Sequence, residues 1–124
     1  TDKRLPEYLD SITGMDLLWQ NASPTSEFVP QTINVNLSHY RGVIVAFDYG
    51  TGKLEEVICN EIGKTYCVSC NNGWNEQGYY LNFGRRNFDV TYTGITFLDN
   101  FFMTTSIFKT ANGNNVPYRI YGIK

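Results

Sequence analysis

The chain has 124 residues, of which 42% are hydrophobic, 15% aromatic and 18% charged, with a formal net charge of -2. This length fits one domain with a core of its own and leaves little room for two. No basic block is present and no stretch is apolar and long enough to span a bilayer, so we expect neither nucleic acid binding nor membrane insertion.

Residues 1–16 are predicted to be a leader or linker that belongs to a longer protein. The first four residues lead into no apolar run, so no signal peptide is predicted. Residues 5–12 have the pattern of a short helix, with Pro6 in its first turn and Gly14 at its end.

Residues 17–124 are predicted to form one domain of short antiparallel strands. Ile33, Val35 and Leu37 alternate with asparagines, which is typical of a strand with one buried face. Residues 43–47 are apolar on both faces and predict a central strand. Gly122 within the last strand predicts a bulge or the close approach of another group to the backbone.

Tyr, Phe, Asn, Thr and Gly are plentiful, which favours strands and tight turns along the rest of the chain. Short strands with regular turns predict an all-β fold, specifically an antiparallel two-sheet sandwich of jelly-roll type. Further strands are predicted at residues 54–58, 65–68, 79–83, 88–92, 95–97, 101–108 and 118–123, and turns at residues 50–52, 63, 71–73, 84, 93–94 and 111–114.

Cys59, Cys67 and Cys70 are an odd number of cysteines, which argues against a closed disulfide framework and favours reduced thiols in a protein made in a cytosol. Together with His39 they supply four possible zinc ligands. However, Cys67 and Cys70 would lie on opposite faces of a regular strand. We interpret the cysteines as small buried thiols and predict no metal site and no cofactor.

Catalytic constellations are weak in this sequence. His39 is the single histidine, and no G-x-S-x-G elbow accompanies it. Glu55 and Glu56 are adjacent, so a strand would direct them to opposite faces and not toward one glycosidic bond. Residues 50–53 lack the leading glycine, the Ser or Thr after the lysine and the following helix of a phosphate loop, and predict a hairpin turn. We therefore predict that the protein is not an enzyme.

The segment 71–80 is rich in side-chain amides around one tryptophan. Saccharides are held by amide and carboxylate hydrogen bonds and by an aromatic ring under the sugar face. The alternative is that Trp74 closes the end of the sandwich above a merely solvated loop. The candidate saccharide-binding residues are Asn72, Trp74, Asn75, Glu76, Gln77 and Tyr80.

Three phrases of the sequence, taken in their order along the chain, carry a resemblance to a known family. The first is LLWQNASP at residues 17–24, followed by Phe28, QTI at 31–33 and LS at 37–38. The second is GRRNFDV at 84–90 with GITF at 94–97, and the third is VPYRIYGIK at 116–124. Together they resemble the C-terminal domain of tail-fibre and other minor tail proteins from phages and prophages, chiefly of Gram-positive hosts. The cysteines and the Trp74 segment depart from the pattern of that family.

The resemblance implies a virion component at the distal end of a tail protein, made in the bacterial cytoplasm and assembled as a homotrimer. Its expected function is host adhesion by recognition of a cell-surface saccharide. The alternative is a structural virion module that docks other tail or capsid proteins. The expected partners are a host glycan or receptor and other virion proteins.

Overall fold

The computed structural model describes residues 14–48, 54–72, 82–103 and 108–124. These residues form two antiparallel sheets and no helix, which confirms the predicted all-β sandwich. None of them belongs to a helix long and apolar enough to cross a membrane. The strands are β1 Met15–Gln20, β2 Gln31–Asn34, β3 Gly42–Asp48, β4 Leu54–Cys59, β5 Lys64–Asn72, β6 Asn82–Thr91, β7 Gly94–Met103, β8 Phe108–Thr110 and β9 Val116–Ile123.

The four-stranded sheet has the order β1-β9-β3-β4, and the five-stranded sheet has the order β2-β7-β6-β5 with β8 paired to β7. Strands β2 and β8 share the edge of β7 that β6 leaves open, with β2 beside Gly94 to Phe97 and β8 beside Phe101 to Met103. The pairs β1–β9 and β2–β7 join distant parts of the chain, as in a jelly roll. The remaining neighbours follow each other in sequence, as the hairpin β3–β4 and the meander β5–β6–β7.

Aromatic rings join the two sheets at the centre of the core. Phe47 of the four-stranded sheet lies 5.4 Å from Phe88 and 6.1 Å from Phe97 of the other sheet, between ring centroids. All three side chains are fully buried. Each contributes about 1.5–3 kcal/mol through the hydrophobic effect, so the two sheets are held face to face by their inner side chains.

The predicted central strand is confirmed. Strand β3 lies between β9 and β4. Val43, Val45 and Phe47 on its inner face are fully buried, and Ala46 on its outer face is also buried. The continuous apolar run of this segment therefore reflects burial on both faces.

Strand β1 has no predicted counterpart in the sequence pattern. It begins at Met15 and pairs with β9 through Gln20, but the register shifts between Leu17 and Trp19. Such a bulge inserts an extra residue and hides the period of two on which strand prediction depends. The predicted helix at residues 5–12 and the predicted turn at residues 50–52 lie outside the described residues.

The strand predicted through Leu37 ends earlier, at Asn34. Asn34 pairs with Gly94, the first residue of β7, so no further partner residues are available to extend the ladder. Val35 and Leu37 are nevertheless buried. The alternation of residues 33–37 therefore predicts the burial of Val35 and Leu37 correctly, but it predicts too long a strand.

Two predicted turns are also wrong. Gly84 lies inside β6, where it pairs with Cys70 on one side and Phe102 on the other. Strand β5 likewise continues through Asn71 to Asn72, in an unbroken register with β6. Strand pairing, on both edges for Gly84 and with β6 for Asn71 and Asn72, outweighs the local turn preference of Gly and Asn. The strand predicted over residues 101–108 is wrong as well, because Met103 and Phe108 face each other as partners in β7 and β8.

Candidate functional site

The predicted saccharide loop connects β5 to β6. Asn72 is the last residue of β5 and pairs with Asn82, the first residue of β6. The loop therefore starts and ends at one end of the five-stranded sheet. Its remaining candidates, Trp74, Asn75, Glu76, Gln77 and Tyr80, lie outside the described residues, as does the side chain of Asn72, so their role stays a prediction.

An aromatic groove lies on the outer face of the sheet at this same end. Phe83 is opposite Met103, and Met103 is opposite Phe108; in the next row Arg85 is opposite Phe101. Directly opposed residues share a face, so these side chains are grouped by the pairing of three strands. The groove encloses about 200 Å³ and is lined by Phe83, Arg85, Asn87, Leu98, Asp99, Phe101, Met103 and Phe108.

The apolar side chains of the aromatic groove remain open to solvent. Phe108 is 67% exposed, and Phe101, Met103 and Leu98 are each exposed by more than 40%. The rings of Phe101 and Phe108 stack on each other, with centroids 5.4 Å apart and an angle of 13° between their planes. Contiguous exposed apolar surface of this kind is typical of binding sites.

Polar side chains border the aromatic groove. The Nε of Arg85 donates to Oδ1 of Asn87 at 3.2 Å, while its terminal nitrogens have no hydrogen bond to any part of the chain that the structure describes. The carboxylate of Asp99 accepts a hydrogen bond from Nδ2 of Asn112 at 2.8 Å. Donors and acceptors thus stand beside an aromatic surface.

A buried arginine supports the aromatic groove from inside the sandwich. Arg86 is fully buried, and its guanidinium lies 5.7 Å from the centre of the Phe28 ring. Burial lowers the pKa of Arg86 to about 10, and the nearby Asp99 carboxylate opposes this shift. The guanidinium donates to five backbone carbonyl oxygens at 2.8–3.3 Å, those of Phe28, Leu98, Asn112, Asn114 and Asn115.

A β-bulge brings the polar edge of the groove into place. Arg86 pairs with Asn100 and Phe88 with Phe97, so Leu98 and Asp99 together face the single residue Asn87. A bulge locally redirects the strand that carries the extra residue. It lets the Leu98 carbonyl accept from Arg86 while the side chains of Leu98 and Asp99 line the groove.

Asparagines tie the β8–β9 turn to β7 behind the groove. The backbone N–H of Asn100 donates to Oδ1 of Asn112 at 2.7 Å, and Nδ2 of Asn115 donates to Oδ1 of Asn100 at 2.9 Å. Asn100 and Asn115 are fully buried, and Asn115 has a φ of 49°. Asn tolerates this left-handed conformation better than most residues. The predicted turn is therefore also a buried support for β7.

The cysteines do not converge. Cys59 is fully buried on the inner face of the four-stranded sheet, and burial raises the pKa of its thiol to about 12. Cys67 is exposed on the other sheet, so the prediction of buried thiols holds for Cys59 and is wrong for Cys67. Alternation along β5 turns the neighbours Tyr66 and Val68 toward the core and leaves Cys67 outside. The side chain of Cys70 lies outside the described residues.

The other candidate residues for metal binding or catalysis lie apart from one another. His39 is exposed in the loop between β2 and β3. Glu55 pairs with Phe47 and Glu56 with Ala46, so the two carboxylates lie on opposite faces of β4 as predicted. Within the described ranges, no three His, Cys, Asp or Glu residues are grouped to hold a metal ion.

Comparisons with protein-family models, with curated proteins and with solved structures found no match. The resemblance to phage tail proteins therefore depends on the three sequence phrases. In the fold, the first phrase supplies part of β1 and of β2, the second lies in β6 and the start of β7, and the third forms β9. The first and third are neighbours, because β1 pairs with β9, and the second carries both Arg85 and Arg86.

Proposed function

We propose that this chain is a receptor-binding domain of a phage tail and that it attaches to a saccharide of the bacterial cell surface. Binding takes place in the aromatic groove, with the adjacent loop of residues 73–81 contributing. The observation that carries the proposal is the exposed, stacked pair of Phe101 and Phe108 beside the polar groups of Arg85 and Asp99.

The groove has the chemistry that a sugar requires. One face of a sugar ring is lined by C–H groups and packs against aromatic rings, while its hydroxyls need hydrogen-bond donors and acceptors. Phe101 and Phe108 supply the rings, Arg85 supplies donors, and Asn87 and Asp99 supply acceptors. The volume of about 200 Å³ is below the range of sites for drug-sized ligands and suits a single ring of a longer glycan.

Location on a virion is supported by the order of the three sequence phrases and by the state of the thiols. Cys59 and Cys67 are unpaired, which agrees with synthesis in the bacterial cytoplasm. We propose a homotrimer, the usual form of the resembled fibres. The groove has the geometry of a binding surface, so the proposal is adhesion.

Adsorption to bacteria tests the proposal with one matched pair of variants. Phe108 and Tyr92 are both exposed aromatic residues, but Tyr92 lies in the β6–β7 turn, at the other end of the five-stranded sheet. The labelled domain is incubated with a panel of bacterial strains and with their purified wall polysaccharides. We expect Phe108→Ser to lose about tenfold or more in affinity and Tyr92→Ser to bind like the wild type.

Two results would count against the proposal. Equal binding by all three proteins would remove the groove as the site. If no strain or polysaccharide binds and the domain instead binds another tail or capsid protein, the alternative of a structural virion module replaces receptor binding.

A further inference from the structure

We propose that the sugar bound in the aromatic groove carries an oxyanion, either a carboxylate or a phosphate, and that this anion binds the terminal nitrogens of Arg85. This inference rests on the proposed function and names the ligand class of that same site. The supporting observations are the charges of Asp99, Arg86 and Arg85 and the partners of each.

The carboxylate of Asp99 is already compensated. It accepts a hydrogen bond from Asn112 at 2.8 Å. It also acts electrostatically on the buried guanidinium of Arg86, which lies below the groove. Arg86 makes its five hydrogen bonds to neutral carbonyl oxygens, and Asp99 is the carboxylate whose charge favours the charged form of this guanidinium.

Arg85 is then the cation of the groove that remains for a ligand. Its terminal nitrogens have no hydrogen-bond partner among the described residues, and its Nε is held by Asn87 at 3.2 Å. The nearest acidic residue along the outer face of its own strand is Asp89, four residues away and therefore about 13 Å along β6. Asp89 accepts a hydrogen bond from Thr65. Lys109, the other cation near this end, lies over the Phe102 ring.

The geometry of Arg85 suits an oxyanion better than a hydroxyl. A guanidinium donates two parallel N–H bonds to a carboxylate or phosphate, and such charge-assisted bonds are about twice as strong as neutral ones. Anchoring by Asn87 reduces the conformational freedom that would be lost on binding. Phe101 is directly opposite Arg85 in the sheet, so the anion and the sugar ring contact adjacent side chains.

The test uses the wall polysaccharide of a strain that adsorbs the domain, separated by anion exchange into neutral and acidic fractions. We expect the acidic fraction to bind about tenfold or more tightly than the neutral one, and Arg85→Gln to abolish the difference. Arg85→Lys keeps the charge without the two-pronged geometry and is expected to fall between them. Arg41→Gln removes an exposed arginine outside the groove and is expected to bind like the wild type.

Chemical treatment of the acidic fraction separates the two anions. Reduction of its carboxyl groups abolishes the preference if the anion is a carboxylate, and complete removal of its phosphate groups abolishes the preference if it is a phosphate. Equal binding of the neutral and acidic fractions, unaffected by Arg85→Gln, would overturn this inference and leave saccharide binding in place. If the domain binds no strain at all, the proposed function fails and the inference fails with it.

Discussion

The Nε of Arg86 donates a hydrogen bond to the backbone oxygen of Asn115 across 2.9 Å, and neither residue has any exposure to solvent. The other nitrogens of the same guanidinium bind carbonyl oxygens of Phe28, Leu98 and the β8–β9 turn. This cluster lies where β7 passes from its partner β2 to its partner β8. One side chain thus donates hydrogen bonds to three separate segments of the chain at this point.

Replacing Arg86 with methionine is expected to destabilise the domain by about 3–5 kcal/mol, because it leaves buried carbonyl oxygens without donors. Arg85→Met is the matched control: its side chain is exposed, and the free energy of unfolding should change by less than about 0.5 kcal/mol. Urea unfolding of the two variants checks this. Equal stability would show that the buried cluster contributes little to the fold.

Cys59 predicts a loss of stability at alkaline pH. Burial raises the pKa of this thiol from 9.0 to about 12, so between these values the unfolded chain has released a proton that the folded chain still holds. The contribution of Cys59 to the free energy of unfolding is therefore fully present below pH 9. Above pH 9 it falls by about 1.4 kcal/mol per pH unit, up to pH 12. Urea unfolding across this range should show a shallower decline for Cys59→Ala. Identical slopes would contradict burial of the thiol.

The ring of Tyr40 lies on the backbone of Gly122, which agrees with the close approach predicted for this glycine. A Cβ at Gly122 would come within 2.6 Å of the ring, and the Tyr40 hydroxyl is anchored by donating to Asp16 at 2.6 Å. We expect Gly122→Ala to cost about 1–3 kcal/mol through overpacking. In thermal or urea unfolding, the cost should largely disappear when Tyr40→Ala is the background. A full cost in that background would place the strain elsewhere.

The proposed homotrimer predicts a specific mass. Light scattering behind a sizing column should give three times the 14.2 kDa of the chain. A threefold assembly is expected to keep the aromatic groove accessible, since the same protein must also adsorb to cells. A mass of 14.2 kDa at the highest soluble concentration would contradict a trimer formed by this chain.

The fold was predictable where burial alone shapes the sequence. Residues 43–47 are apolar on both faces because Val43, Val45 and Phe47 are buried on the inner face of β3 and Ala46 is buried on its outer face. Gly84 misled the prediction, because its turn preference is local while its pairing with Cys70 and Phe102 depends on residues far along the chain. The bulge in β1 hid a strand for a similar reason.

The aromatic groove was not predictable from the sequence. Phe83, Phe101 and Phe108 look like core residues of separate strands until the register of three strands places them on the outer face. Arg85 and Arg86 are chemically identical neighbours, and only the alternation of β6 makes one a surface group and the other a buried support. Two features of the sequence point to this region: the second sequence phrase and the density of phenylalanine near residues 97–108.

The most direct test of saccharide recognition is a titration of the isotopically labelled domain with the wall polysaccharide fraction that it adsorbs, followed by the shifts of its backbone amide resonances. We predict that the largest shifts fall on Arg85, Phe101 and Phe108. Leu54 and Ile58 are also exposed apolar residues, but they lie on the four-stranded sheet. Their amide resonances should not shift. Shifts centred on Leu54 and Ile58, with none in the aromatic groove, would contradict the assignment of the binding site.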